Sequence, residues 1–235
     1  MKTLTTILLL SVNVCWGQKT LDKRFYVSVS PTDSINISTP YKDKVKRDSI
    51  ADKYSNWGQR ARALEKYLLD IENPGITRDK NDLIEIKLLN GQTIKLIPDP
   101  SSDETDFSFE NYFKQLKLLL FRVQWGEGNN YAIIDFTNGK KTYLIGQPFF
   151  SPDKKFMIAI NCDIEAQYSY NGFELFEIVN RDLNKIWTYD PKIWGPVDLK
   201  WVDNSTMTSK NHAMDTLDGK IRSTYTKIKV KRNAP

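Results

Sequence analysis

The chain has 235 residues, 40% of them hydrophobic and 27% charged, and carries a formal charge of +5. This composition excludes a disordered tail, a collagen-like fibre and a multi-span membrane protein, and a chain of this length buries roughly 70% of its unfolded surface without a disulfide or structural metal. Two cysteines and one histidine exclude Cys₄ and Cys₂His₂ zinc sites, so no metal and no cofactor is expected.

Residues 1–17 carry a targeting pattern. Lys2 gives a positive start, Leu4 to Val14 form an apolar run of about eleven residues, and Cys15-Trp16-Gly17 places small residues three and one before a cut after Gly17. The run is well short of the ~20 residues that a spanning helix needs, which predicts a cleaved signal peptide and no transmembrane span in the mature chain. Val14 stands where a lipoprotein signal wants a small residue, so an outer-membrane lipoprotein is the weaker reading and a periplasmic or extracellular protein the stronger. Cleavage removes Cys15 and Lys2, leaving Cys162 alone, no internal disulfide and a charge of +4. Cys162 follows Phe156-Met157-Ile158-Ala159-Ile160-Asn161 and reads as a small buried hydrophobe. The positive surplus is spread along the chain, which argues against a nucleic-acid partner.

Residues 18–47 are polar, broken by Pro31 and Pro40, and read as a linker in which only Arg24 to Ser30 alternates well enough for a strand. Asn36-Ile37-Ser38 and Asn204-Ser205-Thr206 match the N-glycosylation triplet, which has meaning only in a host that modifies it. A helix follows. Asp48 or Ser49 caps it, and Ile50, Tyr54, Trp57, Ala61, Leu64, Leu68 and Ile71 recur at steps of four and three, so all seven share one face. Asn73-Pro74-Gly75 stops it. The seam predicts one amphipathic helix lying on the rest of the fold, with Arg60, Arg62, Glu65, Lys66 and Asp70 on a solvated face.

From Asp82 the period changes to two. Ile84, Ile86 and Leu88, then Asn90-Gly91, then Ile94 and Leu96 predict a β-hairpin, closed by Pro98 and Pro100 and followed by an acidic loop, Ser101 to Asp106. Strands are then predicted at Leu116–Trp125, Tyr131–Phe136, Lys141–Ile145, Phe156–Asn161, Phe173–Val179, Lys185–Tyr189, Leu199–Val202 and Arg222–Lys231, separated by turn sequences such as Thr137-Asn138-Gly139 and Asn180-Arg181-Asp182. Short connections make neighbours antiparallel. The expected fold is mainly β, an antiparallel meander (residues 101–235) forming an open or partial-propeller-like sheet, with helix and hairpin at 48–100 as part of the same folded unit.

Phe150-Ser151-Pro152-Asp153-Lys154-Lys155-Phe156 can be laid over Trp201-Val202-Asp203-Asn204-Ser205-Thr206-Met207, an aromatic, a polar turn and an apolar strand start. The first segment resembles the strand-opening turn of TolB-type β-propeller blades, although Lys154 stands where their glycine follows the aspartate. Four blades of roughly 40 residues need about 160. The meander from 107 to 232 has only 126, so a closed propeller is not expected. With Asn171-Gly172-Phe173-Glu174-Leu175 and Trp194-Gly195-Pro196 before Trp201, the chain also resembles secreted proteins of Bacteroidetes-type bacteria, a resemblance that implies no activity and carries over no catalytic residue.

His212 stands near Ser205, Ser209 and Asp215, but Ser209-Lys210-Asn211-His212 has no Gly-x-Ser-x-Gly elbow and reads as a polar surface loop. Asp163, Glu165, Glu174 and Glu177 are the nearest approach to a glycosidase carboxylate pair, and read instead as the solvated face of a one-sided sheet. Asp163-Ile164-Glu165 lacks the dense spacing of a calcium loop. Lys220, Arg222, Lys227, Lys229, Lys231 and Arg232 load the last strand with positive charge, which reads as protection of a sheet edge. Tyr168, Tyr170, Trp187 and Trp194 are the candidate ligand-binding residues, since exposed rings beside Asn and Asp can stack on sugars or anchor a protein. The functional expectation is an exported, non-catalytic binding or interaction module with a glycan or protein partner. The alternatives are a secreted hydrolase acting on carbohydrate, and a periplasmic inhibitor or structural subunit docking through the helix.

Overall fold

A computed structural model describes residues 18–34, 43–72, 74–98, 106–126, 128–215 and 219–233. The targeting pattern at 1–17, the Asn36 triplet and most of the acidic loop lie outside these residues. In chain order, β1 (Gln18–Thr20) and β2 (Phe25–Pro31) precede helices α1 (Lys44–Ala51) and α2 (Trp57–Glu72). A three-stranded first sheet follows, made of β3 (Ile76–Arg78), β4 (Ile84–Lys87) and β5 (Thr93–Leu96). The second sheet is β6 (Asp106–Phe113), β7 (Leu118–Trp125), β8 (Gly128–Asp135) and β9 (Lys141–Leu144). The third is β10 (Gln147–Phe150), β11 (Phe156–Asn161), β12 (Gly172–Val179) and β13 (Asp182–Tyr189), with β1 added beside β13. The fourth is β14 (Trp194–Trp201), β15 (Thr206–Met214) and β16 (Ile221–Arg232), with β2 added beside β16. The protein is thus mainly β, an antiparallel meander divided into successive open sheets, with no closed barrel among the described residues.

Turn chemistry sets the meander's corners. Asn180 and Arg181 both take positive φ, 51° and 73°, the pair of values that lets a two-residue hairpin follow the twist of its strands. In the two turns related by sequence, Asp153 and Asp203 accept backbone N–H groups two residues on, and the Asp153 amide donates to Asn204 Oδ1 at 3.2 Å, so the two turns lie side by side.

The sheets share three apolar cores. On one side of the second sheet, Phe109, Phe121 and Ile134 pack with Leu68 of α2 and with Ile86 and Leu96 of the first sheet. On its other side, Leu118, Leu120 and Ile133 meet Met157, Ala159 and Phe176 of the third. The third sheet's opposite face, with Ile158, Phe173, Leu175 and Trp187, packs on Leu199, Met207, Ile228 and Val230 of the fourth. Burial of each such side chain is worth roughly 1.5–3 kcal/mol. The second and third sheets are therefore covered on both faces, and Leu118–Phe121 and Met157–Ile160 are buried without alternation. The fourth sheet closes the stack, and its β16 alternates buried and exposed residues from Lys227 to Lys231.

Several expectations are corrected by this arrangement. The strand expected at Arg24 to Ser30 is β2, and residues 18–20 of the expected linker are a strand as well, because each supplies the outermost strand of a sheet. The single helix is two, interrupted between Ala51 and Trp57, with Asn56 Oδ1 accepting the Gln59 amide at the start of α2. Glu65 is buried rather than solvated. The stretch Ser209 to His212 is not a loop but part of β15, paired on both sides, with Ser209 and Asn211 fully buried and bonded to each other at 2.7 Å. The basic strand β16 is not a sheet edge, since β2 pairs along it from Phe25 to Pro31. The Trp194-Gly195-Pro196 segment belongs to β14, an edge strand on which proline removes no ladder bond.

Candidate functional site

The first strands of the second, third and fourth sheets, β6, β10 and β14, come together with the end of α2 around a groove of about 740 Å³. Aromatic side chains form its walls, Tyr112 and Phe113 from β6, Phe150 from β10 and Trp201 from β14. The Phe113 and Phe150 rings meet edge to face at 4.6 Å between centroids, and the Trp201 indole N–H donates to the Phe149 carbonyl at 3.1 Å, capping the open edge of β10. Both carboxylates of the groove are engaged by bases: Asp43 by Arg47 at 2.9 Å and Glu72 by Lys114 at 2.8 Å. Lys154 and Lys200 also line it and form no ion pair among the described residues.

The helices are held beside this groove because they satisfy the outer edge of β6. The Phe109 amide donates to Glu65 at 2.7 Å, the Phe107 carbonyl accepts from Arg62 and Arg78 at 3.1 and 2.5 Å, and the Glu110 carbonyl accepts from Arg47 at 3.2 Å. Side chains here take the place of a neighbouring strand, which leaves no ladder for another chain to extend. Arg78 in turn grips Glu65 through two bonds of 2.6 and 2.9 Å, and Arg62 grips Asp106 through two of 2.7 and 2.6 Å. The helix seam is divided as a result: Leu68 is buried, whereas Trp57 and Ile71 at the two ends of α2 remain 68% and 51% exposed. The Trp57 indole lies under the guanidinium of Arg60 at 5.0 Å.

The four residues proposed from sequence do not form one site. Trp187 is fully buried in the core between the third and fourth sheets and cannot stack on a ligand. Trp194 is half-buried, packed edge to face on Phe173 and Tyr189 at 5.9 and 5.8 Å. Tyr168 and Tyr170 are exposed on the β11–β12 loop, and Tyr170 lines a second, polar cavity of about 320 Å³ with Asp163 and Asp190. Burial, with the nearby charges of Asp190 and Glu174, pushes the Tyr170 hydroxyl above its ordinary range. The acids of that cavity serve the loop itself. Asp163 accepts the amides of Gln167 and Ser169 at 2.9 and 2.6 Å, and Asp190 is bound by the Lys192 ammonium.

The remaining carboxylates are also matched. Glu174 and Phe176 both face the second sheet, with a bulge between Leu175 and Phe176, and Glu174 is buried against the Lys185 ammonium and the Ile145 amide. Glu177 is buried between Arg24 and Arg232 and ties the third sheet to the fourth. The expected one-sided, solvated sheet is thus a two-sided one whose acids are neutralised by pairing. Burial raises the Cys162 thiol above its ordinary value, which keeps it protonated. Among the described residues, no group of three His, Cys, Asp or Glu side chains is placed to hold a metal ion. The groove was missed in sequence because its residues are drawn from positions 43 to 201, and among its rings only Phe150 and Trp201 carried a signal, as the aromatics that open the two turn motifs.

The chain matches no known family model, and a search of curated proteins finds no significant relative.

Proposed function

We propose that the chain is an exported, non-catalytic binding module that takes its ligand in the groove between β6, β10, β14 and α2. The observation that carries this reading is the lining itself: the rings of Tyr112, Phe113, Phe150 and Trp201, with two lysines that have no ion pair among the described residues, surround a space of about 740 Å³ in which each carboxylate already has a base. General acid and base work needs carboxyl groups free to exchange protons, and rings with fixed polar groups favour holding a ligand instead. The targeting pattern at 1–17 supports export.

A thermal-shift screen of the mature protein against cell-wall polysaccharides and their oligosaccharides tests this, since a ligand of the native state raises the melting point by mass action. A shift that disappears in Trp201→Ala and survives in Tyr168→Ala supports the groove. Hydrolysis of any panel member, lost in Glu174→Gln or His212→Ala, overturns the reading in favour of a carbohydrate hydrolase.

A further inference from the structure

Lysines far apart in sequence meet on the outer face of the fourth sheet. Cross-strand pairing places Lys200 of β14 opposite Thr208, Thr208 opposite Lys227 of β16, and Lys227 opposite Ser30 of β2. One step along β16, Lys229 lies between Thr206 and Ser28, and Lys231 lies opposite Tyr26. In the other direction, Lys210 of β15 lies opposite Tyr225. Side chains directly opposite one another point to the same face. That face is the outer one, because the intervening Ile228 and Val230 are buried in the core. Lys200, Lys227, Lys229 and Lys231 are exposed, the short Thr206 and Thr208 between them are buried, and Tyr26 is 57% exposed.

None of the five lysines forms an ion pair among the described residues. Elsewhere many bases are ion-paired, as at Arg24, Arg47, Arg62, Arg78, Lys95, Lys114, Lys140 and Lys185, and those without an ion pair among the described residues, such as Lys87, Lys117 and Lys154, are not set in a cross-strand row. The sole carboxylate in these cross-strand rows is Asp198, opposite Lys210. The sequence reading of a diffuse charge is corrected here: folding gathers it. Lys227, Lys229 and Lys231 form a row with a pitch of about 6.8 Å, twice the rise per strand residue, and Lys200 stands about 10 Å to the side, two strand spacings away.

We infer that this face is a docking surface for a linear acidic polysaccharide lying along β16. Like charges set side by side without counter-charges repel one another and are relieved by a polyanion. The row is built from lysines alone, compact point charges suited to separate carboxylates or sulfates, whereas phosphate and base recognition draws on the bidentate arginine fork. The exposed apolar pair of this face, Ile221 opposite Met214, lies about 20 Å from Lys227 at the far end of β16, so no large apolar side chain stands among the lysines to enter a bilayer, and Tyr26 at the end of the row offers a ring for a sugar to stack on. The surface is separate from the groove of the proposed function, touching it only at Lys200 on the edge strand.

The test is retention of the purified protein on immobilised polygalacturonate, with binding constants measured at 0.05 and 0.5 M salt. The triple variant Lys227→Gln, Lys229→Gln, Lys231→Gln is compared with a charge-matched control, Lys66→Gln, Lys95→Gln, Lys140→Gln, whose lysines are ion-paired on other surfaces. The expected result is salt-sensitive binding that falls at least tenfold in the first variant and less than threefold in the control and in Trp201→Ala. Equal losses in the two triple variants show a net-charge effect and overturn the proposal. So does the absence of binding, or tighter binding to single-stranded DNA or to phosphatidylglycerol vesicles than to the polysaccharide. Loss in Trp201→Ala alone counts against this face while leaving the groove standing.

Discussion

The third and fourth sheets are built alike, each a meander with one strand from the N-terminal segment added at its far edge, and they differ in what lies on the second face. The third is packed between two other sheets, and its acids Glu174 and Glu177 are bound by Lys185 and by Arg24 and Arg232. The fourth closes the stack, and its outer lysines Lys200, Lys227, Lys229 and Lys231 face solvent with no ion pair among the described residues. Alternation of apolar and charged residues does not announce which of these a strand will be. Where another layer removes water, a charge must be paired, because desolvation costs several kcal/mol per ion; where water remains, pairing is optional and worth little.

The contrast can be broken at four points, in falling order of effect. Trp187→Ala, in the covered sheet, should lose about 3–5 kcal/mol in urea unfolding. Trp187→Phe should lose far less, because it keeps a ring and removes an indole N–H that has no hydrogen-bond partner among the described residues. A loss in Trp187→Ala no larger than that of a surface lysine variant would mean that the sheet is not covered. Lys185→Ala leaves Glu174 buried with one amide donor, and should cost about 2 kcal/mol, discounted because Lys185 is 37% exposed. The double variant Glu174→Met, Lys185→Met should recover most of that loss.

The third point concerns pH, where two acids of the second sheet act in opposite directions. Burial raises the Glu110 carboxyl against the opposing charges of Arg122 and Arg47. The folded state then holds that proton more tightly than the unfolded chain, so the stabilisation is present below about pH 4.3 and lost as pH rises through the folded value. Glu110→Gln should therefore be more stable than the native protein at pH 7, and the difference should close toward pH 4. Burial also pushes Asp135 up, but the Thr137 hydroxyl and amide and the Arg181 guanidinium outweigh it and hold the carboxyl below its ordinary value. Its contribution is present above about pH 3.9 and lost as pH falls through the folded value, so Asp135→Asn should be weaker at pH 7 and match the native protein in acid. Urea midpoints at pH 3, 4, 5.5 and 7 separate the two. The smallest effect belongs to the open face: Lys229→Gln should shift stability by less than about 0.5 kcal/mol, as surface substitutions do.

Local elements were legible where pattern and turn chemistry agreed. The hairpin from Ile84 to Leu96 and the strands β7, β11, β12 and β16 follow from apolar periods between Gly, Asn, Asp and Pro turns. The strand β15 was hidden because Thr206 to Met214 is mostly polar, and its buried Ser209 and Asn211 are admitted only by bonding each other. The strand β6 was hidden because its outer edge is satisfied by arginines and a glutamate of α2 and the first sheet, contacts that no local window contains. The helix seam looked continuous because spacing survives an interruption in the backbone. Of the candidate site, rings were legible and their burial was not, as Trp187 and Trp201 show.

By itself the sequence determined the class of structure and the positions of most strands and turns, because these depend on neighbours within a few positions. Only the tertiary structure decided which sheet faces are wet, which acids are neutralised, and that Lys200, Lys210 and Lys227 to Lys231 share one surface. Those outcomes rest on cross-strand register and on the order in which the sheets stack, which bring together residues that are distant along the chain.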